Sequence, residues 1–144
     1  MLAWLVKRVL RLVYRQVCEG RPALAGTLAS DKVELVFPGD NSFAGTYRGR
    51  DALLTWLRRF GSLHPEFAVH EVTVGGLPWD LRVAMRFTDA IGDDYRNEGI
   101  ELIRIRWGRV RRIQVFLDTE RISAWEQRHP EVTTGGTLQE ATTR

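Results

Sequence analysis

Asp89 is the residue in this sequence best placed for acid–base chemistry. It ends a segment in which apolar and polar residues alternate, and it has the same parity as Met85 and Phe87. A carboxyl group on an apolar face is desolvated, and desolvation raises its pKa toward the range in which it can take and return a proton near neutral pH. Asp is also common beside turns, so a solvated, turn-capping Asp89 is the competing interpretation.

Three further polar residues are candidates for the same site. Asn41 lies in the irregular stretch after the first predicted strand, where it either contacts a ligand or ties the loop to its own backbone. His70 shares the parity of Val72, which predicts either a polar contact in a pocket or a satisfied core histidine. Asp118 directly precedes a short helical segment, so an N-cap role competes with a catalytic one.

Large apolar side chains near these residues are the expected walls of a ligand pocket. Phe37 ends the first strand, Trp79 lies in a turn, and Met85 and Phe87 have the parity of Asp89. Together with Asn41 and His70, these four residues are the predicted ligand-binding set, and a small hydrophobic molecule is the predicted ligand.

Other kinds of site lack their motifs. The three His and the single Cys do not have metal-ligand spacing, and neither a Gly-rich phosphate loop nor a Ser-centred nucleophile motif is present. We therefore expect no metal and no cofactor. The net charge of +3 is modest, and the arginines around the last predicted hairpin alternate with apolar residues instead of forming a stripe, so we expect no nucleic-acid partner.

The cysteine count and the pattern of apolar residues predict a cytoplasmic protein without a membrane partner. Cys18 is the only cysteine, which excludes an internal disulfide and agrees with a reducing compartment. Basic residues such as Lys7 and Arg11 interrupt the apolar N-terminal segment, which is unlike a signal peptide. No uncharged apolar run reaches the roughly 18 residues that a spanning helix requires.

Hydrophobic periodicity predicts an α+β domain. Helices are expected at 2–19, 22–29, 51–60 and 119–128, and strands at 32–37, 67–74, 81–90, 95–106 and 110–117. This order places the helices on one face of a curved antiparallel sheet. Apolar residues occupy both parities of the last strands, which predicts a second covered face and a homodimer through the sheet. One domain is expected at 1–129, followed by a disordered tail at 130–144.

The stretch between the first strand and the third helix carries a resemblance. It contains Pro38-Gly39, Asn41 and the run Tyr47-Arg48-Gly49-Arg50-Asp51-Ala52-Leu53, and Asp118 follows the last strand. This pattern resembles the nuclear-transport-factor-2-like superfamily and, within it, the SnoaL-like polyketide-cyclase branch related to ketosteroid isomerases. The resemblance implies a cone-shaped, cystatin-like fold around a deep pocket. The superfamily includes isomerases, cyclases, epoxide hydrolases and domains without known activity, so the fold alone does not give the function.

The catalytic residues of the steroid-isomerase relatives are absent from the matching positions. The general-base position is Phe37, the oxyanion-tyrosine position is Val13, and the second oxyanion acid falls near Ile100. Tyr14 neighbours one of these positions, and Glu101 would need a register shift to fill another. The chain is therefore not expected to be an ordinary steroid isomerase.

The epoxide-hydrolase relatives match at only two of five positions. Asn41 and Asp89 match, whereas Val115, Phe87 and Gly39 occupy the positions of the base, the Arg and the Tyr. This leaves no residue to activate a water molecule, so epoxide hydrolysis is the less expected activity.

The polyketide-cyclase relatives need only one acid in an apolar pocket, which Asp89 supplies. We expect an isomerase or cyclase that uses Asp89 as acid and base on an apolar cyclic carbonyl compound. The alternative is a non-catalytic domain that binds a hydrophobic ligand or a protein. A third reading is an accessory subunit that docks a partner through the Arg-rich last hairpin. The arginines of that hairpin are Arg104, Arg106, Arg109, Arg111 and Arg112.

Overall fold

Six strands form one curved sheet in the computed structural model, which describes residues 1–134. The strands are β1 (Ala29–Phe37), β2 (Gly45–Arg48), β3 (Glu66–Leu77), β4 (Asp80–Ile91), β5 (Tyr95–Arg106) and β6 (Arg109–Leu117). The helices are α1 (Leu2–Cys18), α2 (Ala23–Leu28), α3 (Arg50–Ser62), α4 (Thr119–Arg128) and α5 (Pro130–Thr133). The strand order across the sheet is β2-β1-β6-β5-β4-β3.

The inner face of the sheet forms the core with α1 and α3. Strand β4 alternates as predicted, with Val83, Met85 and Phe87 buried and Arg82 exposed. Helix α3 contributes Leu53 and other residues of its apolar stripe to the same core cluster. The inward-facing residues of the strands, which recur every two residues, therefore pack in one apolar layer against the helix residues that recur every 3.6.

The sheet is mixed, which differs from the predicted all-antiparallel arrangement. Strand β1 pairs with β6 in parallel, with Leu35 opposite Ile113, whereas the other neighbouring strands are antiparallel. Strand β2 was not predicted because it has only four residues and begins with a glycine. It pairs with β1 at the sheet edge, where Tyr47 lies opposite Leu35 and is buried.

A bulge in β3 changes which residues face inward. Val69 pairs with Phe87 and Val72 pairs with Met85, so two residues of β3, His70 and Glu71, lie opposite one residue of β4. The parity of the strand therefore reverses between Val69 and Val72. This is why His70 does not share the face of Val72, as the sequence pattern had predicted.

Helix α1 divides its apolar residues between two directions. Val17 is fully buried, and Leu10 and Val13 pack against the core. Leu5 and Val9, which recur at the same helical spacing in the sequence, are exposed. The periodicity predicted the helix correctly but could not tell which part of a wide apolar arc would be covered.

The segment after α4 differs from the prediction at its first residues. The predicted disordered tail begins at residue 130, yet α5 covers Pro130–Thr133 and its Val132 packs against Ile122 and Trp125. Pro at the start of a helix loses no hydrogen bond, which favours this short turn. Residues 135–144 of the predicted tail lie outside the described residues. Within residues 1–134, no helix has the length and apolarity that crossing a membrane requires.

Candidate active site

A small cavity lies between the inner face of the sheet and the helices. Its volume is about 40 Å³. Most of its wall is aromatic, formed by Phe37, Phe43, Trp56, Phe60, Phe67 and Phe87. Four polar side chains reach it from different elements, namely Tyr14, Asp89, Tyr95 and Glu101. The arrangement is a few ionisable groups inside an apolar chamber, which is the usual composition of a ligand site.

Three stacked rings form one side of the cavity. Tyr14 stacks on Phe67 with ring centroids 4.2 Å apart, and Phe67 stacks on Phe87 with centroids 4.9 Å apart. The Phe87 ring lies against β5 because residue 99 is a glycine. A Cβ at Gly99 would lie 2.8 Å from Phe87 Cζ and 2.3 Å from the Phe116 carbonyl oxygen. The absence of a side chain at Gly99 therefore leaves the space in which the ring of Phe87 packs against the sheet.

Asp89 projects into this cavity from β4 and is only 8% exposed. Its Oδ1 has no hydrogen-bond partner among the described residues. Burial raises the pKa of Asp89 to about 6, although hydrogen bonding from the Tyr95 hydroxyl acts in the opposite direction. A buried carboxylate oxygen without a donor is costly to the fold, and such atoms in proteins call for an explanation, often a functional one.

Glu101 is the second buried acid of the cavity. It lies on β5 between Met85 of β4 and Val115 of β6, and it is 5% exposed. The Tyr14 hydroxyl of α1 donates a hydrogen bond to Glu101 Oε2. Burial raises the pKa of Glu101 to about 7; the Tyr14 hydrogen bond lowers it, and the negative charge of Asp89 raises it. Burial and the neighbouring Glu101 also raise the pKa of Tyr14, so the phenol stays protonated.

These groups can hold opposite protonation states at the same pH. Burial raises the pKa of both carboxyl groups, so each can exchange a proton near neutral pH, and the negative charge of Asp89 favours the neutral form of Glu101. Two titratable groups whose environments separate their pKa values are the pattern that assigns a base and an acid. The cavity is thus equipped for general acid–base chemistry.

The loop between β1 and β2 is fixed by side chains rather than left open. Asn41 Nδ2 donates to the Pro38 carbonyl oxygen (3.0 Å), and Asn41 Oδ1 accepts from Phe43 N (3.0 Å). The backbone N–H of Ser42 donates a hydrogen bond to Oε1 of Glu126, a buried residue of α4, with an N···O distance of 3.0 Å. These bonds place Phe43 in the cavity wall, where Trp56 Nε1 donates to its carbonyl oxygen (3.1 Å).

The structure places three of the seven predicted site residues on the cavity. Phe37, Phe87 and Asp89 line it. Their roles in binding and catalysis remain predictions, because position alone does not establish either role. Met85 is fully buried in the core cluster beside Glu101 but does not line the cavity.

The other three predicted residues lie elsewhere. Asn41 uses both its amide groups to hold its own loop. His70 lies on the outer side of β3, where its Nε2 is 2.7 Å from Thr88 Oγ1, because the bulge reverses the parity there. Trp79 is 48% exposed and stacks on Trp107 at the tips of two hairpins. Their predicted place at the pocket is therefore corrected.

The predicted site residues did not include Tyr14 and Glu101, which line the cavity and are joined by a hydrogen bond. Tyr14 has helical spacing with Leu10 and Val17, and Glu101 shares the parity of Ile103, a buried apolar residue. A titratable residue on an otherwise apolar face was therefore a signal in both elements. The pair comes together only through the register of α1 against the sheet, which gap-free matching to relatives does not reveal.

Two other groups of predicted functional residues have structural partners. Asp118 is the N-cap of α4 and accepts from Glu120 N (3.1 Å). In the last hairpin, Arg104 pairs with Asp80 (3.1 Å) and Arg112 pairs with Glu34 (3.2 Å). The sheet register brings Asp80 and Glu34 beside the hairpin. Across residues 1–134, no group of three or more His, Cys, Asp or Glu is arranged to hold a metal ion.

The cavity is smaller than the deep pocket that the resemblance implied. A cavity of roughly 150 Å³ accommodates benzene, whereas this one measures about 40 Å³. The rings of the aromatic wall fill the space between sheet and helices. A cyclic ligand would need some of these rings to move.

Comparison with known proteins agrees with this architecture. The model of the SnoaL-like domain family matches residues 10–113, well over half of the chain. A search of curated protein sequences gave no match.

Solved structures with similar folds share little sequence with this chain. An NTF2-like protein from Burkholderia xenovorans has a TM-score of 0.61 and 18% identity, with 81% of this chain and 92% of that chain covered. A protein with a cystatin-like fold from Silicibacter pomeroyi has a TM-score of 0.60 and 22% identity, covering 77% and 74% of the two chains. A steroid delta-isomerase from Pseudomonas aeruginosa has a TM-score of 0.63 and 15% identity, covering 90% and 93%. At these identities the likeness shows the fold alone. The chain has the NTF2-like, cystatin-like fold and belongs to the SnoaL-like domain family.

Proposed function

We propose that this protein is a cofactor-independent isomerase or cyclase that moves a proton next to the carbonyl group of a small apolar compound. The observation that carries the proposal is Asp89 Oδ1, a buried carboxylate oxygen without a hydrogen-bond partner among residues 1–134, inside an aromatic cavity. A base of this kind is desolvated, and its pKa of about 6 keeps it ionised but basic near neutral pH.

The cavity supplies one group for each part of such a reaction. Asp89 takes the proton from the carbon next to the carbonyl, which leaves an enolate. Neutral Glu101, held by the Tyr14 hydroxyl, donates a hydrogen bond to the oxygen on which the charge develops. In an isomerase, Asp89 then returns its proton to the same carbon or, where a conjugated double bond extends the enolate, to the carbon at the far end of that system, and the carbonyl forms again. In a cyclase, the enolate carbon attacks a second carbonyl of the same molecule, and the oxygen of that carbonyl takes the proton from Asp89.

The size of the cavity favours a small substrate. Acyclic carbonyl compounds need the least movement of the aromatic wall, and a single-ring compound requires some of its rings to shift. Epoxide hydrolysis is less supported, because Val115 and Phe87 contribute only apolar surface to the cavity. A cytoplasmic location completes the proposal, and the half-buried free thiol of Cys18 is compatible with it.

Proton exchange at carbon tests this proposal without knowledge of the natural substrate. Proton NMR in heavy water would follow the loss of the signal from hydrogens beside the carbonyl of butanone, cyclopentanone and cyclohexanone. The wild-type protein should accelerate exchange over buffer, and Asp89→Asn should slow it about a hundredfold. The rate should rise as Asp89 ionises near pH 6 and fall as Glu101 ionises near pH 7.

Asp118→Asn is the matched control, because it makes the same chemical change at the exposed N-cap of α4, where Asn caps as well as Asp. It should exchange at the wild-type rate. If the wild-type protein binds the ketones, as seen by a thermal shift, but does not accelerate exchange, the catalytic proposal fails. The non-catalytic ligand-binding domain would then be the better description.

We also propose that the outer face of the sheet forms a homodimer. Ile100, Leu102 and Phe116 are 45–47% exposed there, and Ile100 lies directly opposite Phe116 in the register. Charges of both signs surround them, since Arg86 lies 3.1 Å from Glu71. A face that carries both signs can be complementary to a second copy of itself across a two-fold axis.

A charge in the middle of this face should prevent dimerisation. Leu102→Glu places a carboxylate in the centre of the patch in both subunits, so the dissociation constant of the dimer should rise about a hundredfold. Analytical ultracentrifugation over a concentration series measures it. Leu5→Glu, at an exposed leucine of α1, is the control and should leave the dimer intact. A wild-type protein that is monomeric throughout the series would contradict the proposal.

A further inference from the structure

We propose that α1 docks the protein onto an anionic lipid surface through its exposed apolar stripe. The stripe consists of Leu2, Leu5, Val9 and Leu12, which recur at spacings of three and four and are 37–51% exposed. These side chains lie about a quarter-turn around the helix from the core-facing residues Leu10, Val13 and Val17. Their exposed parts form a continuous apolar surface along α1.

The charges beside the apolar stripe indicate the kind of partner that it binds. Lys7, Arg8, Arg11 and Arg15 are the only charged residues of α1, which contains no Asp or Glu. None of the four forms an ion pair with a residue of 1–134. Arg8, Arg11 and Arg15 recur at three and four residues, so they form a basic stripe next to the apolar one.

The two stripes have the composition of a helix that lies in a lipid interface. Such helices combine Leu and Trp on one side with Lys and Arg on the other, and anionic headgroups attract the basic side. Trp4, which is 61% exposed with Arg8 5.4 Å from its ring centroid, adds an amphipathic aromatic of the type enriched at membrane interfaces.

A second copy of the chain fits this surface less well. Two α1 helices packed antiparallel through their apolar stripes would bring their basic stripes together, and no acid on α1 would compensate the repulsion. The outer face of the sheet, in contrast, carries both signs of charge. The sequence had predicted no membrane partner, but that expectation considered only signal peptides and spanning segments, and a helix lying on the surface needs neither.

Flotation of the protein with lipid vesicles tests the proposal. One set contains 70% phosphatidylcholine and 30% phosphatidylserine, and the other contains phosphatidylcholine alone. We expect the wild-type protein to float with the anionic vesicles and to remain largely free of the neutral ones, with binding reduced at high salt. An Arg8→Gln, Arg15→Gln variant should lose about fivefold in the partition coefficient for each arginine removed.

The apolar stripe is tested with two matched substitutions. Leu5→Glu should lower the partition coefficient about tenfold or more, because it removes an inserted side chain and adds a buried charge. Leu77→Glu is the control, since Leu77 is exposed to a similar extent (54% against 51%) but lies at the end of β3. Thermal melts establish that both variants are folded.

Three results would overturn the proposal. The first is the absence of binding to either set of vesicles, and the second is an equal loss of binding for Leu5→Glu and Leu77→Glu. The third is an oligomer of the wild-type protein in solution that Leu5→Glu dissociates, which would assign the stripe to a second copy of the chain.

Discussion

The wild-type protein should lose about 6 kcal/mol of unfolding free energy between pH 4 and pH 8, and a double variant, Asp89→Asn with Glu101→Gln, should not show this loss. The pKa of Asp89 rises from 3.8 to about 6, and that of Glu101 rises from 4.5 to about 7. Each shift corresponds to roughly 3 kcal/mol, because one pKa unit is worth about 1.4 kcal/mol. Urea unfolding at a series of pH values measures the difference.

The sign of this pH dependence follows from the protonation state that the fold favours, which is the neutral form of both acids. Both pKa values are higher in the folded protein than in the unfolded chain, so the stabilising contribution is complete below about pH 4 and is lost as the pH rises through 6 and 7. The neutral variants cannot ionise and should show a flatter profile. Asp118→Asn, which alters an exposed carboxylate, should retain the wild-type slope. If the double variant also retains that slope, the two acids are not desolvated as the structure indicates.

Gly61→Ala should lower the free energy of unfolding by about 3 kcal/mol, although alanine is the better helix former. Gly61 is buried in α3, and a Cβ there would lie 2.2 Å from the Val17 carbonyl oxygen. That oxygen accepts a hydrogen bond from Gly20 N (2.9 Å) at the end of α1, so it is not free to move away. Urea unfolding at neutral pH measures the loss.

Gly75→Ala provides the control for this substitution. Gly75 lies in β3, its backbone is not in the left-handed region, and no atom of residues 1–134 lies within 4 Å of an added Cβ. Its replacement should change the stability little or raise it slightly. A Gly61→Ala variant as stable as Gly75→Ala would mean that α1 and α3 can separate without cost.

Local patterns were sufficient to predict most of the fold. The alternation of Val83, Met85, Phe87 and Asp89 predicted the inward face of β4, and the structure has the same parity. The parallel pairing of β1 with β6 could not be predicted in this way, because strand neighbours that are distant in sequence are chosen by the packing of the whole sheet. Short-range periodicity contains no information on that choice.

The candidate site was predictable only where it depended on a single element. Asp89 and Phe87 reach the cavity by the parity of one strand, which the sequence displays. The Tyr14–Glu101 hydrogen bond joins residues 87 positions apart and depends on how α1 lies across the sheet. The misplacement of His70 has another cause, since one extra residue in β3 reversed a pattern that was otherwise read correctly.

Because of that extra residue, the effect of losing one residue from β3 depends on where in the strand the loss occurs. Losing either His70 or Glu71 would restore one-to-one pairing with β4 and leave Val69 and Val72 on their present faces. Losing a residue at any other point of the strand would turn every following side chain to the opposite side of the sheet. The bulge is therefore the position at which this strand can change its length during evolution without exchanging its core for its surface.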